Sequence, residues 1–411
     1  MKNALDILKE RGFVAQVTYE DELYKAFDDG MVTFYTGFDP TADSLHIGHY
    51  IPIMAMAHLQ RAGHKPIALM GGGTGMIGDP SGKSDLRKVL TVEDIDSNVA
   101  RIRQQMGRFL DFDESKPNCA VIANNADWLR TLNYIDFLRE VGSLFSVNRM
   151  LTAECYKQRL ERGLTFLEFN YMLMQAYDFL ELNHRYGCTL QSGGDDQWSN
   201  MLAGADLIRR KDHVPAFALT FQLLLTHDGR KMGKTEKGAL WLDANKCSPY
   251  DFYQYWRNVD DADVEKCLGL LTFLPMEQVR ELGRLEGSAI NEAKRVLAYE
   301  VTKLIHGEEE AEKARSAAES LFGSAGVGGS VPTTTISEAE LAEEARLIAW
   351  MAKAGMTKSN GEARKAVQQG GVSVGEEKIA DPDYKFTADQ LSGDGVLVKK
   401  GKKTFHKFVL Q

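Results

Sequence analysis

The sequence has no long apolar run. The best candidate spans free of formal charge, residues 44–60 and 214–226, fall short of the roughly 20 apolar residues that cross a bilayer. Residues 1–11 carry mixed charge, without a continuous apolar stretch or a small-residue cleavage site. These absences argue against a membrane-spanning or secreted protein. We expect a soluble, cytoplasmic protein that opens with an amphipathic helix.

Cysteine is scarce and unpaired. The chain has 5 Cys among 411 residues, widely spaced, with no Cys-x-x-Cys and no pair of histidines at ligand spacing from them. An odd number in this arrangement argues against a disulfide scaffold and against a cysteine-based zinc site. We therefore predict reduced core thiols at all five positions, which are Cys119, Cys155, Cys188, Cys247 and Cys267.

The chain has fewer basic than acidic residues, 49 Lys and Arg against 58 Asp and Glu, so its formal net charge is −9 at pH 7. An acidic chain of this kind does not bind nucleic acid over its whole surface. From Met351 onward, however, Lys and Arg outnumber Asp and Glu. A polyanionic partner would therefore be steered to the last part of the chain.

The first part of the chain alternates between two kinds of segment. Short β-rich runs at 32–35 and 66–70 are interleaved with helical patterns at 51–60 and 99–110, which is typical of βαβ units. With 44% hydrophobic and 26% charged residues, a chain of this length predicts two or three globular domains. We predict an α/β domain over 1–247, built on a parallel sheet covered by helices.

Strand patterns disappear after residue 247. Apolar periodicity predicts a helical domain over 248–322, with helices at 251–271, 291–305 and 308–322. Residues 323–335 are rich in Gly, Ser and Thr and have no large side chains, which predicts a flexible linker, assigned to 323–337. A small α+β module over 338–411 closes the chain, with predicted helices at 338–354 and 360–368 and strands at 372–374, 395–398 and 407–409.

A glycine-rich stretch offers one candidate function. Residues 73–78 fit Gly-x-Gly-x-x-Gly after a predicted strand, and Glu93 or Asp94 lies about twenty residues on, as in NAD-dependent oxidoreductases. The residues that follow Gly78 break the helix that should hold a pyrophosphate, and the acidic pair sits at a predicted helix start. A P-loop ending at Gly82-Lys83-Ser84 lacks its earlier glycine, since Ile77 occupies that position. An oxidoreductase remains the rival class.

Two separate elements favour a different chemistry. His46 and His49, with Gly48 between them, follow a predicted strand and lie on one face of a helix start, where N–H groups and the helix dipole attract phosphate. Far downstream, residues 228–235 form a glycine-containing loop that presents Lys231 and Lys234. Either element alone is also compatible with surface histidines or a solvated basic turn.

Together the two elements resemble the signatures of the class I aminoacyl-tRNA synthetases. His46-Ile47-Gly48-His49 is the first motif of that family without change, and Lys231-Met232-Gly233-Lys234-Thr235 resembles Lys-Met-Ser-Lys-Ser with both lysines kept. The resemblance implies a Rossmann-like parallel-sheet catalytic domain, a helical domain and an RNA-binding module. It also implies ATP, with Mg²⁺ arriving as the substrate complex, and no resident metal.

Four segments resemble the tyrosine branch of this family, and they cover residues 37–49, 71–83, 166–179 and 191–198. The resemblance, which runs along essentially the whole chain, implies a tyrosine–tRNA ligase in which Tyr35 and Asp178 hold the substrate phenol. It also implies that Asp79, Tyr171 and Gln175 hold the ammonium group, and that Gln197 lies near the carboxylate. Independently, the spacing of Tyr171, Gln175 and Asp178 places three polar groups on one helix face.

The same resemblance implies the ATP site. His46, His49 and Thr41 are expected at the phosphates, and Lys231 and Lys234 at the pyrophosphate, with Lys83 and Arg87 as helpers. The remaining ATP and ribose residues are Gly37, Asp39, Gly48, Gly194 and Asp196. The chain departs from the commoner family pattern at Ser192, Asp195, Ser199 and Pro52. Pro52 fits a first-turn proline.

The end of the chain resembles an RNA-binding module shared with a ribosomal small-subunit protein, over residues 356–367 and 371–375. Basic side chains there are candidate contacts to tRNA phosphates, namely Arg364, Lys365, Lys399, Lys400, Lys402 and Lys403. A solvated lysine tail is the alternative. The resemblance also implies a homodimer with tRNA as partner, and a catalytically inactive RNA-binding relative stays open as a second alternative.

Overall fold

The computed structural model describes residues 2–79, 91–161, 163–235, 238–322, 333–375, 377–393, 395–401 and 404–410. They form two compact units, Met1–Glu312 and Lys313–Gln411. Within these ranges no helix is both long enough and apolar enough to span a membrane.

A six-stranded sheet forms the centre of the first unit. Its strands are β1 (Val14–Val17), β2 (Thr33–Phe38), β3 (Lys65–Met70), β4 (Val121–Asn124), β5 (Cys188–Gly194) and β6 (Phe217–Phe221). The strand order is β1-β6-β5-β2-β3-β4, and all neighbours are parallel except β1 and β6. The predicted α/β class with a parallel sheet is confirmed.

Helices cover this sheet and continue beyond it. The helices of the sheet region are α1 (Ala4–Arg11), α2 (Glu20–Asp29), α3 (Ile47–Arg61), α4 (Val92–Met106), α5 (Ala126–Leu129), α6 (Tyr134–Glu140), α7 (Val147–Leu151), α8 (Glu154–Leu160), α9 (Phe166–Tyr186) and α10 (Trp198–Lys211). A short ribbon, β7 (Lys234–Thr235) with β8 (Gly238–Ala239), precedes α11 (Pro249–Arg257), α12 (Val264–Leu271), α13 (Met276–Gly283) and α14 (Ile290–His306). Helix α15 (Glu308–Phe322) spans the unit boundary.

The strand order explains where a ligand can bind. Chain connections leave β2 in one direction toward β3 and β4, whereas β5 and β6 lie on its other side. The crevice at the carboxyl ends of β2 and β5 is therefore the switch point, where ligands of open α/β sheets bind. Long helix α9 packs on this sheet, held at its start by a capping box between Thr165 and Glu168 and ended by Gly187 at φ 63°.

The second unit contains a five-stranded sheet of order β11-β10-β12-β13-β9. Its strands are β9 (Thr333–Ile336), β10 (Val372–Val374), β11 (Glu377–Ile379), β12 (Val396–Lys400) and β13 (Thr404–Leu410). Its helices are α16 (Glu338–Glu343), α17 (Leu347–Lys353), α18 (Asn360–Gln368) and α19 (Ala388–Leu391). Trp350 and Phe408 are central to its core.

Several predicted elements differ from the structure. The single helix expected at 251–271 is two helices, α11 and α12, because the Asp260 side chain accepts the amide of Ala262 and starts a new turn. The helix expected at 338–354 is likewise divided, and the Trp350 indole donates to the Glu344 carbonyl in the break. Helix α4 begins seven residues earlier than expected, at a capping box formed by Thr91 and Asp94.

The predicted linker contains a strand at its end. Residues 323–332 lie outside the described residues, but Thr333–Ile336 forms β9, which pairs in parallel with β13. Threonine-rich segments without charge fit a pleated edge strand as well as a coil. Pro52 also differs from expectation, since α3 begins at Ile47 and places this proline in the second turn of the helix.

The cysteine prediction is only partly correct. Cys188 and Cys267 are buried free thiols, and burial raises the pKa of each, that of Cys267 to about 12. Cys119 and Cys247, in contrast, are partly exposed. The side chain of Cys155 lies outside the described part of the structure.

Candidate active site

A cavity of about 500 Å³ opens at the carboxyl ends of β2 and β5. It brings together most of the residues singled out in the sequence for tyrosine and ATP. Those in its lining are Tyr35, Gly37, Asp39, Thr41, His46, Gly48, His49, Asp79, Tyr171, Gln175, Asp178, Gly194, Asp196, Gln197 and Lys231.

The deepest polar pair is Tyr35 and Asp178. The two side chains are 1% and 2% exposed, and among the described residues the Tyr35 hydroxyl has no hydrogen-bond partner. Burial raises the pKa of the Tyr35 phenol well above its ordinary value. It also raises the pKa of Asp178 to about 7. An unsatisfied hydroxyl beside a carboxyl group fits a ligand that supplies a hydroxyl of its own.

Two residues that sequence reasoning missed hold Asp178 in place. The Asn125 amide donates to Asp178 Oδ2 at 2.9 Å, and the Trp128 indole donates to Oδ1 at 2.7 Å. Both bonds favour the ionised carboxylate and so lower the pKa of Asp178 against the effect of burial. Their position directly after β4, at the carboxyl edge of a parallel strand, is a signal that could have identified them.

Asn125 also connects the two ends of the pocket. Its amide donates to Thr74 Oγ1 at 2.9 Å, and Thr74 in turn hydrogen-bonds Tyr171. Burial raises the pKa of the Tyr171 phenol, and nearby Asp39 and Asp79 add to this rise. Asp178, Asn125, Thr74 and Tyr171 therefore belong to one hydrogen-bonded network.

The glycine-rich stretch serves this network and not a dinucleotide. Residues Thr74–Met76 form a single 3-10 turn instead of a long helix. A Cβ at Gly72 would lie 2.2 Å from Asn124 Oδ1, and the Gly73 amide donates to Asn125 Oδ1 at 2.7 Å. The glycines thus allow the loop to pack against the end of β4. Asp94 belongs to the capping box of α4.

Candidate polar groups for an α-amino acid lie along α9, the helix that also carries Asp178, and at Asp79 and Gln197. Tyr171, Gln175 and Asp178 all line the cavity from α9, as their spacing predicts. The Gln197 amide donates to Asp79 Oδ2 at 2.6 Å. The carboxylate of Asp79 can attract an ammonium group, while Gln197 fixes its orientation.

The two histidines form the start of α3. His46 is the N-cap, and its Nδ1 accepts the Gly48 amide at 3.0 Å, while the His46 amide donates to His49 Nδ1 at 3.2 Å. The rings are stacked with centroids 3.9 Å apart. Because both Nδ1 atoms accept, the ring N–H of each neutral histidine is on Nε2, where it can donate to a phosphate. A Cβ at Gly48 would lie 2.8 Å from the His46 ring, which explains the glycine.

The departures at 192 and 195 have definite contacts. Ser192 Oγ lies 2.7 Å from Thr36 Oγ1 and donates to the Tyr35 carbonyl at 3.1 Å. Asp195 Oδ1 accepts from Gln16 and Thr220, each at 2.7 Å. Asp195 therefore joins the start of α10 to β1 and β6, whereas Asp196 lines the cavity.

Some predicted residues are elsewhere or cannot be placed. Lys83, Arg87, Lys402 and Lys403 lie outside the described residues, and for Lys234 only the backbone, in β7, is described. In the second unit, Lys400 is bound by Glu362 and the Met356 carbonyl, and Arg364 pairs with Asp383 at 3.0 Å. Lys365 is exposed, and Lys399 lies near the Phe405 ring. Across the described ranges no His, Cys, Asp and Glu cluster could hold a metal ion.

Comparison with known proteins identifies two family models. The model described as "tRNA synthetases class I (W and Y)" matches residues 28–323. The model described as "Tyrosine--tRNA ligase SYY-like C-terminal domain" matches residues 325–408. Together they account for most of the chain.

Individual relatives agree with these models. Tyrosine--tRNA ligases of Clostridium tetani and Clostridium botulinum strain Loch Maree are each 58% identical over 100% of this chain, and 99% and 100% of their own lengths are covered. A solved C-terminally truncated mitochondrial tyrosyl-tRNA synthetase of Aspergillus nidulans is 29% identical with a TM-score of 0.70, covering 78% of this chain and 95% of that one. The corresponding enzyme of Coccidioides posadasii is 31% identical, with a TM-score of 0.67 and coverages of 77% and 92%.

Proposed function

Because the chain belongs to the class I tRNA synthetases, in the branch of the tyrosine–tRNA ligases, we propose that its cavity activates L-tyrosine with ATP and charges tRNA. The observation that supports this most directly is the buried pair at the end of the cavity. Tyr35 presents a hydroxyl without a partner among the described residues, beside the carboxyl group of Asp178. The tyrosine phenol completes that pair.

The reaction proceeds in two displacements. An oxygen of the tyrosine carboxylate attacks the α-phosphorus of ATP, a P–O bond forms, and the bond to the departing pyrophosphate breaks. A hydroxyl of the 3′-terminal ribose of tRNA then attacks the tyrosyl carbonyl, and AMP leaves. The first step needs no general base, because an α-carboxyl group is ionised at neutral pH. The protein contributes positioning and charge neutralisation.

The lining of the cavity supports an assignment for each part of the two substrates. We assign Asp79, Tyr171 and Gln175, which line it, to the ammonium group, and Gln197 to the region near the carboxylate. Thr41, His46, His49 and Lys231 line the phosphate region, and we assign Lys234, Lys83 and Arg87 to it as well. Gly37, Asp39, Gly48, Gly194 and Asp196 are assigned to the nucleotide and its ribose. Mg²⁺ comes with ATP, which supplies the phosphate oxygens that this ion prefers.

Discrimination against phenylalanine follows from the same pair. Without a substrate hydroxyl, Tyr35 and Asp178 remain desolvated and without that partner, and each unmet buried group costs about 1–3 kcal/mol. Asp178 is also held rigidly by Asn125 and Trp128, so it cannot turn to find another partner. Tyrosine is therefore the preferred substrate.

We assign the tRNA to the module at 338–411, through Arg364, Lys365, Lys399, Lys400, Lys402 and Lys403. Residues 1–247 carry the reaction, 248–322 form a helical domain and 323–337 connect the module. The contacts of Lys400 and Arg364 with acidic side chains favour Lys365 and Lys399 as the stronger phosphate ligands. We also propose that the protein acts in the cytoplasm.

We also propose that the protein is a homodimer. Helices α6 to α9 expose large apolar side chains, and those above 45% exposure are Tyr134, Ile135, Val147, Leu160, Phe166 and Leu167. Exposed apolar side chains that gather on one surface mark protein interfaces, and these six lie within one stretch of the chain. A second copy of the chain would cover them by a self-complementary contact.

The deciding experiment is tyrosine-dependent exchange of labelled pyrophosphate into ATP. We expect exchange with tyrosine and little with phenylalanine, and Asp178→Ala should reduce it roughly 100-fold. Neither an oxidoreductase nor an inactive RNA-binding relative would exchange pyrophosphate. Normal tyrosine kinetics in Asp178→Ala would refute the assignment of the phenol site.

A further inference from the structure

The loop that carries the second motif is held by α11 and α12. The Gly233 amide donates to the hydroxyl of Tyr255, on α11, at 2.8 Å. One residue earlier, the buried side chain of Met232 places its sulfur 3.8 Å from Sγ of Cys267, on α12. Lys231, which precedes both anchors, lines the same cavity as the two histidines.

A second set of bonds connects Gly233 to the first motif. The Gly233 carbonyl accepts the Leu240 amide at 2.7 Å, and the Leu240 carbonyl accepts the Ile47 amide at 2.9 Å. Tyr255, Gly233, Leu240 and Ile47 therefore form a continuous hydrogen-bonded path. It runs from α11 to the start of α3, where His46 and His49 are located.

The backbone at Gly233 makes this arrangement sensitive to the side chain there. Its φ is +81°, which favours glycine, and an added Cβ would lie 1.9 Å from Cγ2 of Ile47. The loop can therefore lie against the first motif only while residue 233 has no side chain. The bond from the Gly233 amide to Tyr255 acts there together with the bond from the Met232 amide to the Leu224 carbonyl, at 2.9 Å.

We propose that Tyr255 is a positioning residue for adenylate formation, because its hydroxyl seats the Lys231–Gly233 segment against the first motif and so aims Lys231 at the phosphates. Tyr255 does not touch the substrates itself, since it is absent from the cavity lining. The inference rests on the proposed function. Its effect belongs to the phosphate end of the cavity, so tyrosine binding should not depend on it.

The test compares Tyr255→Phe with Tyr250→Phe. Tyr250 lies on the same helix, and its hydroxyl accepts from Gln254 on that helix, so the two variants lose the same atom. For Tyr255→Phe we expect the kcat of pyrophosphate exchange to fall about three- to tenfold, the loss typical of one hydrogen bond. The KM for tyrosine should stay within about twofold, and Tyr250→Phe should match the unaltered chain.

Two further measurements do not depend on kcat alone. Trypsin should cut after Lys231 faster in Tyr255→Phe than in Tyr250→Phe, because cleavage follows local opening of the loop. Gly233→Ala forces the loop away from Ile47, so adding Tyr255→Phe to that variant should lower kcat little further. Full additivity of the two changes would overturn the proposal.

The outcomes distinguish a failure of the proposed role of Tyr255 from a failure of the proposed function. If the unaltered chain exchanges pyrophosphate and the two phenylalanine variants behave alike, the role of Tyr255 is wrong and the proposed function stands. A parallel rise in the KM for tyrosine would also overturn the role, since it would indicate a general loss of structure. If the unaltered chain exchanges no pyrophosphate, the proposed function fails, and the role of Tyr255 fails with it.

Discussion

Asp178 combines two opposing influences within one side chain. Burial raises its pKa to about 7, whereas the amide of Asn125 and the indole of Trp128 favour the charged form. A carboxylate accepts the phenol O–H of tyrosine, but the protonated group has given up part of that capacity. If Asp178 holds the substrate phenol as proposed, its protonation state should affect tyrosine binding close to physiological pH.

Tyrosine binding should depend on pH through this group. Below pH 7 the folded carboxyl takes up a proton, so we expect tyrosine affinity to fall toward about tenfold per pH unit as the pH drops. Trp128→Phe removes a donor to the carboxylate and should move the midpoint to higher pH. Equilibrium dialysis of labelled tyrosine between pH 5.5 and 8.5 measures both effects.

Asp178→Asn is the control for this titration. Its affinity should be low and should not change with pH over the same range, because no proton is exchanged at that site. Stability provides an independent check. The unfolded carboxyl titrates near 3.9, so the folded chain binds the extra proton between about 4 and 7 and loses stability as the pH rises through that window. A pH-independent affinity in the unaltered chain would contradict the assignment.

Sequence patterns could predict only part of this residue network. Tyr35, Asp178 and the histidines belong to motifs whose residue types and spacing are recognisable along the chain. Asn125, Trp128 and Tyr255 act through contacts with residues at least 22 positions away, as between Gly233 and Tyr255. No local periodicity encodes such contacts, since they exist only after the sheet and the helices have packed.

At the scale of elements, the second motif is a loop whose position matters more than its composition. Lys231 lines the cavity, whereas the neighbouring Arg230 points to Asp228 and is 79% exposed at its side chain. Two adjacent cations in one loop thus have different environments. Substituting each cation in turn therefore distinguishes the effect of a charge in the cavity from the effect of the total charge of the loop.

Lys231→Ala should slow adenylate formation and leave tyrosine binding nearly unchanged. Negative charge on the departing pyrophosphate is greatest in the transition state, so a cation placed there contributes mainly to the rate. We expect the rate constant for adenylate formation to fall roughly 100-fold, as measured by rapid-quench analysis of a single turnover. Arg230→Ala is the matched control and should lower the rate at most about twofold.

Lys231 would have a structural role instead if Lys231→Ala lowered the affinity for tyrosine as much as the rate. The same holds if Arg230→Ala produced an equal loss, because the rate would then depend on the total charge of the loop. Circular dichroism of both variants checks that the helices remain intact.

Sequence patterns predicted most helices and strands correctly, but they missed the points at which a helix ends and a new one begins. Apolar periodicity continues from 251 to 271, but a helix also ends wherever a side chain captures a backbone amide, as Asp260 does. In the predicted linker the error is the opposite, since a strand was missed there. Residues 333–336 form β9 because they pair with β13. Strand formation at an edge depends on a neighbour that lies more than 70 residues away in the sequence, as between Thr333 and Lys407.

At the scale of the whole molecule, the proposed homodimer can be tested by placing one charged side chain in the proposed interface. Phe166 is 67% exposed, the highest value among the large apolar side chains of α6 to α9. An aspartate buried in an interface without a partner is strongly unfavourable. Phe166→Asp should therefore weaken dimer formation at least about 100-fold, as measured by sedimentation velocity over a concentration series.

Met31→Asp provides the matched control for the dimer. Met31 is 49% exposed and follows α2, outside the apolar cluster of α6 to α9. It should dimerise like the unaltered chain, because the same charge then falls outside the proposed interface. A monomeric unaltered chain, or equal dimerisation of both variants, would contradict the proposed interface.

The last prediction separates the two steps of the reaction along the chain. Every residue proposed for tyrosine and ATP precedes residue 323, whereas the proposed tRNA phosphate contacts all lie after residue 337. Solved synthetases from Aspergillus nidulans and Coccidioides posadasii are C-terminally truncated and superimpose on 78% and 77% of this chain. A chain ending at residue 322 should therefore fold.

That shortened chain should exchange pyrophosphate at close to the full rate and charge tRNA poorly. Adenylate formation needs no contact with the basic module, but affinity for tRNA does. Each phosphate contact removed with the module should also lower the salt dependence of tRNA binding, by roughly one released counterion per contact. Both activities and tRNA affinity are measured across a salt series from about 50 to 200 mM.

The salt series distinguishes loss of tRNA contacts from loss of structure. Poor charging with a flattened salt slope and normal exchange is the expected result, since only the phosphate contacts have been removed. Loss of exchange together with a changed circular dichroism spectrum would indicate that the shortened chain misfolds, contrary to the prediction. Charging at the full rate at physiological salt would refute an RNA-binding role for residues 338–411, and the basic residues there would then be a solvated surface.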